Sequence, residues 1–108
     1  MTRYIFWNQI PERRFIDITV EDIDDEAVEL VSDSAYDVTA ILAVHAAIKA
    51  SDGNKQAGVS YVENNDSAPL WDDGTNVLTL AVASNGSATI QRTAGTLTFD
   101  VTLRMTWI

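Results

Sequence analysis

The 108-residue sequence has no cysteine and a single histidine, and its 7 Lys and Arg residues face 16 Asp and Glu residues. Without cysteine there is no disulfide framework and no thiolate metal site, and one histidine excludes a multi-histidine metal site. The net charge of −9 argues against a nucleic-acid-binding protein, which needs a basic face toward phosphate. No apolar run approaches the roughly 20 residues of a membrane span. We therefore expect neither nucleic acid nor a membrane as partner.

The clearest pattern present is a period-two alternation at the end of the chain. From Leu97 to Trp107 every odd position is large and apolar, and every even position is polar. This alternation predicts a strand whose buried face includes Phe99, Leu103 and Trp107. The length allows one domain, residues 1–108, with one hydrophobic core.

Turn signals divide the residues before this strand. Asn76–Ala83 and Ala88–Thr93 alternate on either side of Ser84-Asn85-Gly86-Ser87, and Asn-Gly is a strong hairpin signal because both residues tolerate positive φ. Ala94-Gly95 then turns the chain into the final strand. The last third is therefore predicted to be a three-stranded antiparallel meander.

The middle of the chain fits two structures. Asp37–Ala50 is rich in alanine and could be a helix capped by Asp37, but it also alternates well as a strand. A strand that leads through Asp52-Gly53-Asn54 into a return strand over Lys55–Glu63 fits its neighbours better. Asn64–Thr75 is predicted to be a loop by its composition.

The N-terminal part predicts strands over Thr2–Trp7, from Phe15 to Glu21, and over Glu26–Val31. With the others these make seven or eight short strands and no convincing helix. The predicted fold is all-β, a single antiparallel β-sandwich of jelly-roll-like type.

Ile10-Pro11 separates the first strand from the rest of the chain. Residues 1–13 are therefore predicted to form an extended N-terminal arm. Its aromatic side chains Tyr4, Phe6 and Trp7 are predicted to bind a neighbouring subunit by adding a strand to it. The alternative is an ordinary edge strand of the same domain.

Trp71 is set apart from the other aromatic residues because it stands in a polar segment beside Asp72-Asp73. An exposed indole next to carboxylates is a means of stacking on a sugar ring. Trp71, Asp72 and Asp73, with Tyr61 beside them, are therefore candidate carbohydrate contacts. The alternative is that Trp71 closes the open end of the sandwich.

Two further features could carry chemistry. His45 could act with a carboxylate in a small enzyme, but no Gly-x-Ser-x-Gly segment surrounds any serine, and a lone histidine is usually a surface residue. The acidic run Glu21–Glu26 could hold Ca²⁺, yet it lacks the spacing and the glycine of an EF-hand loop. We expect a non-enzymatic protein with no catalytic site, no metal site and no cofactor.

The order of segments from residue 40 to residue 108 resembles a known class of domain. It runs through Ala47–Asn54, then Val59–Val62 with its tyrosine, Val77–Val82, Ser84–Ile90, the turn Ala94-Gly95-Thr96, and a long strand ending in Trp107. This order is similar to the small β-sandwich domains of bacteriophage virion proteins. Such domains occur in head decoration proteins, head fibres, and the tips of tail fibres or spikes.

The resemblance implies a structural role on a virus particle that is assembled in the host cytoplasm. Its implied partners are coat or tail subunits and further copies of the chain itself, as a homo-oligomer. The acidic net charge suits this role because it discourages association in solution and repels packaged DNA.

Overall fold

The computed structural model describes residues 5–9, 15–31, 41–63, 65–84 and 87–107. These residues form strands and no helix, so the predicted all-β class is confirmed. No helix long and apolar enough to cross a membrane is found among them. The strands are β1 (Ile5–Gln9), β2 (Phe15–Ile23), β3 (Val28–Val31), β4 (Ile41–Ala50), β5 (Lys55–Glu63), β6 (Asp66–Asp72), β7 (Val77–Val82), β8 (Ala88–Ala94) and β9 (Phe99–Trp107).

The strands form two antiparallel sheets. Sheet A has five strands in the order β1-β2-β9-β4-β5, and sheet B has four in the order β3-β8-β7-β6. The chain passes from one sheet to the other between β2 and β3, between β3 and β4, between β5 and β6, and between β8 and β9. Two packed antiparallel sheets agree with the predicted β-sandwich.

One hydrophobic core lies between the sheets and follows the predicted alternation. Sheet A contributes alternate residues of β2, β4 and β9, among them Ile18, Val44 and Leu103, and sheet B contributes Leu80 and Ile90. The strand interpretation of the alanine-rich segment is confirmed over Ile41–Ala50. Residues 37–40 lie outside the described part.

The loop predicted over Asn64–Thr75 is wrong for Asp66–Asp72, which is strand β6. Proline misled the prediction because it ordinarily breaks a strand. Here Pro69 lies in an edge strand of sheet B, where one side of the backbone needs no ladder donor. A register shift between Pro69 and Trp71 also places both Leu70 and Trp71 in the core.

The predicted three-stranded meander is also wrong. β7 and β8 pair as a hairpin, but β9 crosses to sheet A and lies between β2 and β4. Alternation indicates which face of a strand is buried, and it carries no information on which sheet the strand joins. Residues 85 and 86 of the predicted Asn-Gly turn lie outside the described residues.

The first strand of the chain is an edge strand of sheet A. The Ile5–Gln9 backbone pairs antiparallel with β2, with Phe6 opposite Thr19 and Trp7 opposite Ile18. Tyr4 lies outside the described residues, as do the side chains of Phe6 and Trp7. The structure thus places Ile5–Gln9 as the edge strand that was the alternative to an extended arm.

β5 and β6 approach closely along one side of the sandwich. Ser60 Oγ donates a hydrogen bond of 2.8 Å to the carbonyl oxygen of Pro69. A Cβ placed on Gly58 would lie 2.6 Å from the carbonyl oxygen of Leu70 and 3.2 Å from Cδ1 of Ile48. Gly58 therefore lets the two edge strands meet, and we call this contact the β5–β6 seam.

We expect Gly58→Ala to lower the free energy of unfolding by about 1–3 kcal/mol, because the added methyl group overlaps a backbone atom that cannot rotate away. Urea denaturation followed by tryptophan fluorescence measures the change. Ala57→Ser, on the exposed side of the same strand, is the control and should change stability by less than about 0.5 kcal/mol. Equal stability of Gly58→Ala and the wild type would contradict a close seam.

Candidate interaction face

Trp71 does not lie on the surface. Its side chain is 2% exposed, and its ring packs edge to face against Phe99 with 5.2 Å between the ring centroids. Its indole Nε1 donates a hydrogen bond to Asp73 Oδ2. The prediction that Trp71 stacks on a sugar is therefore not supported by its position, because neither face of the indole is accessible. The aromatic ring belongs to the core at the end of the sandwich.

Asp73 organises the turn between β6 and β7. Its Oδ1 accepts hydrogen bonds from the backbone N–H groups of Thr75 and Asn76, at 2.9 and 2.6 Å. Three hydrogen bonds lower the pKa of Asp73 from 3.8 to about 2. The bond from the Asn76 backbone has the largest effect, followed by those from the Thr75 backbone and the Trp71 side chain. The carboxylate is thus held in its charged form by the turn that it shapes.

Asn76 joins this turn to the turn between β8 and β9. The residue is 8% exposed, and its Oδ1 accepts hydrogen bonds from the backbone N–H groups of Thr96 and Leu97. Gly95 has a positive φ of 89°, and a Cβ there would overlap the side-chain amide of Asn76. Asp73 and Asn76, with Asp72 Oδ1 accepting from the Gly74 N–H, form what we call the turn latch.

Hydrogen bonds in and beside the turn latch involve three of the four residues that the sequence marked as carbohydrate contacts. Trp71, Asp72 and Asp73 bind one another or the backbone of their own turn. Tyr61 lies elsewhere, on β5 of sheet A. The structure therefore brings Trp71, Asp72 and Asp73 together, but it buries the indole and leaves Tyr61 on the outer face of sheet A.

The broad exposed surface of the described residues is the outer face of sheet A. The alternation of four neighbouring strands places one set of side chains on this face. They are Phe15, Asp17, Thr19 and Glu21 of β2; Asp100, Thr102, Arg104 and Thr106 of β9; Ala43, His45, Ala47 and Lys49 of β4; and Lys55, Ala57, Val59 and Tyr61 of β5.

Short side chains leave a hollow in this face. Ala47 and Ala57 lie opposite each other on β4 and β5, and with the neighbouring threonines they line an open depression of about 540 Å³. The charged side chains around it are the acids Glu21 and Asp100 and the bases Lys49 and Lys55. The depression is therefore apolar at its base and charged at its rim.

The charges at the rim are ordered across the sheet. In the backbone register, Lys49 lies opposite Lys55 on β5 and opposite Asp100 on β9, and Glu21 follows on β2. The order is thus two acids, then two lysines. Neither lysine forms an ion pair within the described residues. Lysines directly opposite each other on neighbouring strands repel, and Lys55, on the edge strand, has no acid opposite it in this row.

The outer face of sheet A also has an ion pair that packs against an aromatic ring. Arg104 donates two hydrogen bonds to Asp17, from Nε to Oδ1 at 2.7 Å and from an Nη atom to Oδ2 at 2.8 Å. Its guanidinium carbon lies 4.2 Å from the centroid of the Phe15 ring. The hydrogen bonds lower the pKa of Asp17 and raise that of Arg104. The charged forms of Arg104 and Asp17 are therefore favoured, and the two side chains form an ion pair on the exposed face.

Val59 and Tyr61 are the large apolar side chains that the face exposes, at 59% and 67%. The exposure of Val59 was not predicted from the sequence. Val59 alternates with polar or small residues along β5, and the apolar side of such a strand ordinarily faces the core. The signal that could have reversed this choice is Gly58 and Ser60, whose small size fits the close approach of β6.

The remaining sequence candidates find no reactive setting. His45 is exposed on the same face, opposite Arg104 and Val59, and makes no hydrogen bond within the described part. The acidic run ends β2 and forms the loop before β3, where the carbonyl oxygens of Asp24 and Asp25 accept hydrogen bonds from β8. No group of three metal-ligating side chains occurs among the described residues.

Comparisons of the chain with protein-family models, with curated proteins and with solved structures give no match.

We expect Asp73→Asn to be less stable than the wild type at neutral pH and to approach it in acid. The pKa of Asp73 is lowered on folding, so its contribution is complete above the unfolded value of 3.8 and disappears as the pH falls through about 2. Unfolding free energies of both proteins across this range measure the difference. Asp25→Asn controls for the loss of one exposed charge. A gap that stays constant with pH would contradict the role assigned to Asp73.

We expect Asn76→Ala to lower the free energy of unfolding by about 1–3 kcal/mol, because the N–H groups of Thr96 and Leu97 lose their acceptor in a partly buried site. Thermal or urea denaturation measures the loss. Asn54→Ala, in an exposed turn where the amide binds only Asp52, is the matched control and should cost less than about 1 kcal/mol. A cost for Asn76→Ala no larger than that of the control would show that the latch is dispensable.

Proposed function

We propose that the protein is a structural component of a virus particle, either a capsid decoration protein or a tail or spike component, and that it acts by protein–protein assembly. The partners in this proposal are coat or tail subunits and other copies of the chain. The place of action is the virion, after assembly in the host cytoplasm. The proposal includes no catalysis.

The observation that carries the proposal is the outer face of sheet A. It is broad and open, it exposes Val59 and Tyr61, and on it Arg104 bonds Asp17 and packs against the Phe15 ring. Exposed apolar side chains with a charged rim are typical of surfaces that bind protein. Tyrosine and arginine are also common among the residues that contribute most to binding.

The jelly-roll-like connection of the strands belongs to the same proposal. It is supported by the pairing of β2 with β9 in one sheet and of β3 with β8 in the other. The segments β2–β3 and β8–β9 therefore run side by side across both sheets. β4–β5 and β6–β7 pair instead as hairpins within one sheet. The binding of a neighbouring subunit by Tyr4, Phe6 and Trp7 stays a prediction.

We expect quantitative mass spectrometry to find the chain in purified particles of the virus whose genome encodes it. Particles produced with Tyr61→Ser should contain at least about threefold less of it, because a large and exposed side chain of the proposed binding face is lost. Thr89→Ser, on the outer face of sheet B, is the control and should be incorporated like the wild type. Absence of the wild-type chain from purified particles would refute the proposal.

The exposed position of Tyr61 makes this test specific for binding. The variant should unfold within about 0.5 kcal/mol of the wild type, so reduced incorporation cannot be attributed to misfolding. Normal incorporation of a stable Tyr61→Ser protein would show that the outer face of sheet A is not the binding surface.

A further inference from the structure

We infer that the outer face of sheet A binds a second copy of the same face, related by a two-fold axis that runs parallel to the strands. This inference rests on the proposed function in that it names the first partner of the proposed binding surface. It is carried by the order of charges across the sheet, by the placement of aromatic residues on opposite strands, and by the size of the face.

The charge order is complementary to itself. An axis parallel to the strands, between β9 and β4, places β4 over β9 of the second copy and β5 over its β2, and it keeps each cross-strand row opposite the same row. Lys49 then faces Asp100 of the other copy, and Lys55 faces its Glu21. The two-fold axis repeats each of these two contacts, so four ion pairs form between the copies. The unpaired lysines described above thereby gain acids.

The same operation matches the other rows. Tyr61 on β5 comes to face Phe15 on β2 of the second copy, which joins the most exposed apolar side chain to a ring already held by Arg104. In the next row Val59 comes to face Asp17, and His45 comes to face Arg104, while Asp17 and Arg104 stay paired within each copy. Facing sheets cross at about 30°, which shifts facing positions by a few ångströms, within reach of lysine, glutamate and tyrosine side chains.

An axis perpendicular to the strands lacks this match. It would reverse the rows and place the lysines near Tyr61 at the other end of the face, where the described side chains offer them few acids. The charge order therefore favours one orientation of the two copies over the other.

The size of the face is sufficient for a weak dimer. The three spacings between four strands and the length of β4 give a projected area of about 500 Å² per copy, or about 1,000 Å² in total. This is near the lower limit for specific interfaces. The net charge of −9 on each copy also opposes association. We therefore expect a weak dimer, with a dissociation constant in the micromolar range or higher. Pairing is favoured where many copies are held together on a particle.

Sedimentation equilibrium of three proteins tests the inference: the wild type, Lys55→Glu and Glu21→Lys. The wild type should dimerise at concentrations up to about 500 µM, in keeping with a small interface. Each single variant should dissociate at least about tenfold more readily, because two ion pairs become two repulsions. The variants change the net charge in opposite directions, so a general charge effect cannot weaken both.

An equal mixture of the two variants provides the decisive measurement. In the mixed pair, the new glutamate of Lys55→Glu faces the new lysine of Glu21→Lys, and the unchanged Glu21 of the first variant faces the unchanged Lys55 of the second. Both contacts are therefore attractive again, and the mixture should associate about as tightly as the wild type. Within one chain these positions lie on β5 and β2, about 14 Å apart, so the recovery cannot come from a contact within either copy.

A wild type that stays monomeric, single variants that dimerise like the wild type, or a mixture that does not recover would each overturn the inference. These failures are distinct from failure of the proposed function. A chain found in particles but monomeric in solution would refute the two-fold pairing alone. A chain that dimerises as described but is absent from particles would refute the virion role alone.

Discussion

The register of β9 is the constraint on which the rest of the structure depends. This strand lies at the centre of sheet A and pairs with β2 on one side and with β4 on the other. A shift of one residue would turn Phe99, Leu103 and Met105 to solvent and bury Arg104. The core therefore fixes the register, and the register in turn sets which side chains lie opposite one another on the outer face.

The turn latch shows how the chain directs β9 to the correct sheet. Hydrogen bonds from Thr96 and Leu97 to Asn76 hold the turn after β8 against the turn before β7. Asp73 in turn positions the Asn76 backbone. A short polar segment at one end of the sandwich thus holds the turn at which the chain passes from sheet B to sheet A.

Strand positions could be predicted from the sequence because burial of one face imposes a period of two. That pattern correctly indicated β4 and the final strand. It failed at β6, where Pro69 is tolerated only because the strand lies at an edge. It left two positions open for Trp71, and the observed one is burial at the end of the sandwich. The outer face was not predictable, since its residues come from four strands whose lateral order depends on contacts distant in sequence.

The β5–β6 seam has a consequence for solubility. Free edges of sheets are the sites at which chains add to one another and grow into fibres. On this side of the sandwich the two edge strands lean together, Ser60 occupies the Pro69 carbonyl, and Pro69 itself has no N–H to donate. An incoming strand therefore finds fewer free backbone groups along this border, which makes the addition of a strand there less favourable.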